Sequence, residues 1–422
     1  MNPTGRVRMN GMIRTVGVSL GLLAAGWFGA DLNGVIPPEV VAPPDSPRSI
    51  TLPMTLDHNR VIIDAEFLRP DGSVRKARAW VDTGNQFLLV GEALARDLGL
   101  EVARSGEPGT QYAQAWASRT PRVRLGGLEL DTAGLATRVL PGTGVLPGVP
   151  AEAGLPASAL RQTQVVFDYP SKRLTVGRPG SLKPWGLAIP CKVHAETGLF
   201  QVAVKIDGET VQLGVDTGSA GTWVSTALTS AWRSRHPDWP VSTGAVGSAN
   251  FFGFPFEPGG ILMRLPEVRV GVLPVREVGL LGLDPSLFEW YSKKSAGPVA
   301  GFLGGNVLKD FRIEIDFSNR MTYWQAGRPS GTNDFDIVGL TLRPETDGTY
   351  TVAGVAAKNG KPTVPEVAPG DRLLRVDGQA LANRTMGEVT GALRGKPGEK
   401  RTLGLERSGR RFAVRVPVIR FP

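Results

Sequence analysis

Two carboxylates of this chain stand in the same three-residue setting. Asp82-Thr83-Gly84 closes the apolar run AWV, and Asp216-Thr217-Gly218 closes LGV. At average composition such a word arises by chance on the order of 0.1 times in a chain this long, so a second copy asks for a cause. An Asp at the end of an apolar strand is delivered to a buried turn, and Gly lets that turn fold tightly with no Cβ in the way. The Thr hydroxyl can hydrogen-bond across to a partner element. Two such turns face to face would bring two carboxyls to within about 3 Å, where they cannot both ionise easily and share one proton. The ionised member can take a proton from a water held between them. The protonated member can hydrogen-bond the carbonyl oxygen of the group that the water attacks. The plainer alternative is two Asx-type turns that cap strands and do no chemistry.

The elements around the two words repeat as well. Before the first, VIIDAEFL reads as a strand, Asp71-Gly72 as a turn and VRKARAWV as the returning strand. Before the second, FQVAVKI, Asp207-Gly208 and TVQLGV follow the same plan. Each word is followed by a short apolar segment, FLLV or TWVS, and then a helix-like piece, GEALARDLGL or TALTSAWRSR. The units end alike too: VVFDYPSKRLTVG parallels IEIDFSNRMTYW, with Asp168 and Asp316 at matching points. Two homologous lobes, mainly β, are the expectation. A pseudo-twofold axis between them would place Asp82 and Asp216 face to face.

With these motifs in place, the chain resembles the retropepsin-like and pepsin-like aspartic peptidases, with both lobes on one chain. The resemblance spans residues 51–325. It implies a two-lobed acid-protease β-barrel fold with lobes at 55–183 and 184–328. It also implies a catalytic dyad of Asp82 and Asp216, no cofactor and no metal, polypeptide substrates, and a monomer complete for catalysis. Thr83 and Thr217 would make the inter-lobe hydroxyl contacts. Gly84, Asn85, Gly218 and Ser219 would shape the active loops, and Phe302-Leu303-Gly304 would pack behind the second. The first lobe departs from the family pattern twice. Asn85 stands where Ser or Ala is usual, and GLPASAL puts Ala157 where a Gly is expected. Ser219 is expected to offer a hydroxyl near the second Asp and Asn85 an amide near the first. In such families a hairpin flap closes over the substrate, and Tyr112 in QYAQAWA is the flap candidate. The weaker first lobe keeps a second reading in view, a non-catalytic peptide-binding or scaffold protein with a degenerate protease fold.

Other chemistries lack a signature. There are three histidines, no HExxH motif, and one GxSxG match that lies inside the apolar N-terminal run. A lone cysteine, Cys191, can form no intramolecular disulfide and reads as a small core residue.

From Phe335 the texture changes and resembles a PDZ domain, an α/β module over residues 335–422. Val338-Gly339-Leu340 would form its peptide-binding loop, PGDRLLRVDG a turn, strand and tight turn, MGEVTGALRG a helix and RTLGLERSGRRFAVRV a hairpin. A groove between strand and helix would take a C-terminal or internal peptide by strand addition. Removal of this segment is expected to leave the two lobes folded.

The N-terminus reads as an export signal or anchor over residues 1–30: three arginines, then 16 uncharged residues, short for a membrane span. Residues 31–54 form a Pro-rich linker. The protein is therefore expected to be exported, and periplasmic or tethered to the membrane by its N-terminus. The net charge of +9 comes from the leader and from the segment after Phe335, with 15 Lys/Arg against 9 Asp/Glu. That segment lacks the aromatic interleaving of a nucleic-acid binder, so no nucleic-acid partner is expected.

Overall fold

A computed structural model describes residues 47–104, 115–244, 247–248, 260–328 and 334–422. The leader, most of the expected linker and the flap candidate Tyr112 lie outside the described residues. The fold is mainly β, as expected. Among the described residues no helix is long and apolar enough to cross a membrane.

The strand-turn-strand units predicted ahead of each Asp-Thr-Gly word both form. Arg60–Leu68 pairs antiparallel with Val74–Asp82, and Phe200–Ile206 with Glu209–Val215. The second turn is a tight two-residue loop, with Asp207 and Gly208 at φ of 52° and 78°, the left-handed values that a type I′ hairpin needs. In the first, Ser73 N–H donates to Asp71 Oδ1 at 2.8 Å, an Asx turn within a longer loop. FLLV and TWVS supply the strands Leu88–Gly91 and Thr222–Ser225, which lead into the helices Glu92–Asp97 and Thr226–Arg235.

The closing strands of the two repeats meet each other. Gln164–Asp168 runs antiparallel to Phe311–Asp316, with Val166 opposite Glu314. Arg173–Gly177 and Met321–Ala326 flank this pair on either side. Such pairing relates the repeats by a local twofold rotation. Val165, Phe167, Ile313 and Ile315 from these strands are buried in one core with Val81 and Val215, the residues just before the two aspartates. Burial of each such side chain stabilises the fold by about 1.5–3 kcal/mol, which anchors both Asp-Thr-Gly loops to a common base. The sheet also takes in part of the expected linker. Ser49–Pro53 pairs residue for residue with Arg173–Gly177, so the tether ends before Ser49. Pro53 sits at the end of an edge strand, where a missing N–H is tolerated.

The C-terminal segment folds as a sheet of Leu340–Pro344, Tyr350–Val355, Arg372–Val376, Lys400–Arg407 and Arg410–Pro417. The helix Met386–Leu393 buries Met386, Val389, Thr390 and Leu393, one face at helical spacing. Thr385 and Glu388 close a reciprocal capping box at its start, worth about 1 kcal/mol. This module shares its buried core with Ala220 and Leu262 of the second repeat. Gly387 N–H donates to Asp57 Oδ1 at 3.0 Å, and an Arg264 guanidinium nitrogen donates to the Phe421 carbonyl. The module and the second repeat therefore share buried contacts. Without it, Ala220 and Leu262 lose their apolar cover.

Candidate active site

Asp82 ends its strand and Asp216 directly follows its own at the interface of the two repeats, each 6% exposed. Each carboxyl lies against the loop of the other repeat, so the two face each other. The threonines brace the pair reciprocally. Thr83 Oγ1 donates to the Val215 carbonyl at 2.6 Å and accepts from Thr217 N–H at 3.0 Å. Thr217 Oγ1 donates to the Val81 carbonyl at 2.7 Å and accepts from Thr83 N–H at 3.3 Å. Each hydroxyl thus satisfies backbone groups of the other repeat in a fully buried place, where an unmade hydrogen bond costs about 1–3 kcal/mol. The glycines permit the approach. A Cβ on Gly84 would lie 2.5 Å from Asp216 Cγ, and one on Gly218 2.4 Å from Asp82 Cγ. Any side chain at either position would push the carboxyls apart.

The two acids are not equivalent. Among the described residues Asp82 Oδ1 accepts one backbone N–H, from Gly84 at 3.0 Å. Asp216 Oδ1 accepts two, from Gly218 at 2.9 Å and Ser219 at 3.0 Å. Burial raises the Asp82 carboxyl well above the usual range, and the neighbouring Asp216 charge raises it further. Burial also raises Asp216, but the hydrogen bond from Asp82 and the two N–H donors pull it back. Hydrogen bonds to the charged form favour it. The donor geometry thus favours the ionised form at Asp216 over Asp82. Such a pair can activate a water at Asp216 and hydrogen-bond an electrophile's oxygen from Asp82.

No family model matches the chain, and no curated protein does. Among solved structures the chain is similar to an aspartic proteinase from Irpex lacteus. Identity is 13% and the TM-score 0.41, over 67% of this chain and 99% of that one.

The loop residues predicted from sequence all lie at the pair, with two changes of role. The Ser219 hydroxyl donates to the Gly221 carbonyl at 2.7 Å, so it is the Ser219 backbone N–H that reaches Asp216. The Asn85 side chain folds its own loop: Nδ2 donates to the Phe87 carbonyl at 2.8 Å and Oδ1 accepts from Phe87 N–H at 3.1 Å. The asymmetry expected from these side chains is carried by the backbone instead.

The supporting residues shift by one position. Phe302 and Leu303 lie beside Gly214 and Val215 in a parallel pair, and Asp216 N–H donates to the Leu303 carbonyl. In the first repeat Gly154 lies beside Trp80, Leu155 beside Val81 and Pro156 beside Asp82. Pro156 is thus the counterpart of Gly304. Ala157 matches Gly305 instead, since Ala157 N–H donates to the Asn85 carbonyl as Gly305 N–H does to the Ser219 carbonyl. Gly304 abuts Gly221, whose carbonyl oxygen would be 1.9 Å from any Cβ there.

Sequence reasoning passed over the turn that enters the first strand. His58 and Asn59 both have positive φ, 49° and 64°, and join Thr55–Asp57 to Arg60–Leu68. Asn59 Nδ2 donates to the Ala220 carbonyl at 3.2 Å and to Asp334 at 3.0 Å. Arg60 is 1% exposed beside the aspartates. A charged residue heading an otherwise apolar strand was the available signal.

In the C-terminal module Val338, Gly339 and Leu340 are packed inside. Val338 N–H donates to the Leu393 carbonyl, Leu340 N–H to the Val338 carbonyl, and Gly339 packs against Thr363 and Phe421. The edge of Leu340–Pro344 pairs in parallel with Gly247–Ser248. Cys191 is buried, and burial pushes its thiol up to about 12.

Proposed function

We propose that this chain is an exported aspartic-type endopeptidase. The observation that carries the reading is the buried, facing Asp82–Asp216 pair, braced by reciprocal threonine contacts. Asp216 takes a proton from a water held at the pair, and the resulting hydroxide attacks the peptide carbonyl. Asp82 gives its proton to the carbonyl oxygen as the tetrahedral intermediate forms. Both carboxyls belong to one chain, so a monomer suffices. The C-terminal module, by its resemblance to PDZ domains, engages peptide or substrate segments. A peptide adding to the Leu340–Pro344 edge must displace Gly247–Ser248.

Cleavage of an unfolded protein at several pH values tests this, with and without a pepstatin-like transition-state mimic. Hydrolysis with an acid-to-neutral optimum, blocked by the mimic, is expected. Retention of peptide binding with no hydrolysis at any pH would favour the non-catalytic binding protein.

A further inference from the structure

The two aspartates share a loop plan, yet among the described residues the Asp216 carboxyl has a second backbone donor that Asp82 lacks. Arg60 lies at this point of difference. Its Nε donates to the Gly218 carbonyl at 3.1 Å. The next amide along that same peptide unit, Ser219 N–H, donates to Asp216 Oδ1 at 3.0 Å. In a trans peptide the C=O and N–H point in opposite directions. A guanidinium that fixes the carbonyl end therefore aims the N–H end at Asp216.

The counterpart position shows what happens without it. Val61 faces Val81, so Arg60 stands one step on, level with Asp82. In the second repeat Gln201 faces Gly214, which puts Leu199 level with Asp216. Leu199 is buried and has no side-chain donor to offer the Gly84 carbonyl. Both amides donate to the backbone carbonyl of their own aspartate, Asn85 N–H to Asp82 at 3.2 Å and Ser219 N–H to Asp216 at 3.4 Å; the Ser219 N–H reaches the carboxyl Oδ1 as well, at 3.0 Å. A guanidinium stays charged at any working pH, and its charge favours the ionised form of both aspartates. Among the described residues the other titratable groups close by are His58, Tyr169 and Asp57, with Arg394 paired to Asp334 beyond His58. His58 is held neutral by burial and by Arg60 and Arg394. Burial keeps the Tyr169 hydroxyl, which senses Asp216, protonated. Asp57 lies at the start of the C-terminal helix and also senses Arg60.

We propose that Arg60 is a positioning residue that decides which aspartate is ionised, by clamping the Gly218–Ser219 peptide, and that its buried charge sets the pH window of the pair. The proposal rests on the hydrolase reading only for its effect on activity; the split between the two carboxyls stands without it.

The test is a pH titration of the carboxyl carbons in protein labelled with ¹³C-aspartate, beside pH–rate profiles where hydrolysis is found. Asp82→Asn and Asp216→Asn variants assign the two signals. Arg60→Leu, which copies the second repeat, should narrow the gap between the two titrations and move both upward, by about one pH unit or more. Both limbs of the activity profile should move with them. Arg60→Lys keeps the charge but not the fixed Nε donor. It should hold the pH window near its original place while still narrowing the gap. Titrations that stay unmoved in folded Arg60→Leu overturn the proposal. If Arg60→Leu does not fold, an unchanged gap in Arg60→Lys overturns it. A wild-type protein that shows the split titration but cleaves nothing counts against the hydrolase reading alone.

Discussion

The first and second repeats place the same acid at the same point with different materials. Beside the strand before Asp82, a large residue faces a small one, Trp80 next to Gly154. Before Asp216 the sizes are exchanged: Gly214 lies next to Phe302. Phe302 stacks on Trp223 with ring centroids 4.6 Å apart, and a Cβ on Gly214 would lie 2.3 Å from its ring. Trp80 packs with Phe87 and Leu89 in its own buried cluster. The large residue behind each loop comes from opposite members of the strand pair, an exchange that close-packed interiors allow. Polar groups behave differently. Arg60 in one repeat and Leu199 in the other cannot be exchanged without changing where donors point. The comparison teaches that packing tolerates a swap across the pseudo-twofold, whereas electrostatics at the pair does not.

The most severe break is at the acids themselves. Asp82→Asn or Asp216→Asn should each lower the rate of peptide hydrolysis by at least about 10³-fold, because an amide can neither share the proton nor accept one from water. Steady-state kinetics on a peptide substrate, with circular dichroism to verify folding, checks this. Near-native turnover in either variant would refute the two-carboxylate chemistry.

Removal of residues 335–422 should fall on the repeats unequally. Ala220 and Leu262 lose their shared core, and Gly279 loses the Phe335 ring packed against it. Hydrogen exchange should show protection lost first in the second repeat, with overall stability lowered by several kcal/mol. Equal loss in both repeats, or none, would show that the module is not a support for one of them.

The size exchange can be tested by reversing it. Trp80→Gly should cost about 3–5 kcal/mol in denaturant unfolding. Adding Gly154→Phe should recover part of that, since the pair is in contact and the two changes couple. Recovery will be incomplete because a Cβ at Gly154 already lies 3.2 Å from Leu89. Additive losses would mean that the pairing of sizes has no energetic content.

The smallest effect separates the acids by stability. The Asp82 carboxyl is raised in the folded state, so its contribution is present at acid pH and is lost as pH rises from the unfolded carboxylate range through its folded value. Asp82→Asn removes that loss and should raise the melting temperature at neutral pH by a few degrees relative to its value near pH 3. Asp216 is less raised, and Asp216→Asn should gain less. Equal gains would place the proton on neither acid in preference.

Much of this molecule can be read in its linear order. The paired Asp-Thr-Gly words, the hairpins before them and the strands and helices after them all depend on near neighbours. Apolar runs of a few residues, turn residues such as Asp207-Gly208, and the Thr385–Glu388 box act within a short stretch of chain, so their types announce them. The mainly β character and the meeting of Asp82 with Asp216 follow from repetition of that local plan.

What the sequence could not assign depends on register between strands far apart in the chain. Pro156 rather than Ala157 stands opposite Asp82 because a parallel pairing, with 70 or more residues between its strands, sets which residue comes level. The Ser219 hydroxyl turned to Gly221 and the Asn85 amide to Phe87 because each found a backbone partner two residues away, a choice fixed only once the loops were folded. Arg60 reads in sequence as one basic residue among many. It becomes decisive because folding buries its guanidinium against a carbonyl of the other repeat, where no water can take over that hydrogen bond and little screens the charge.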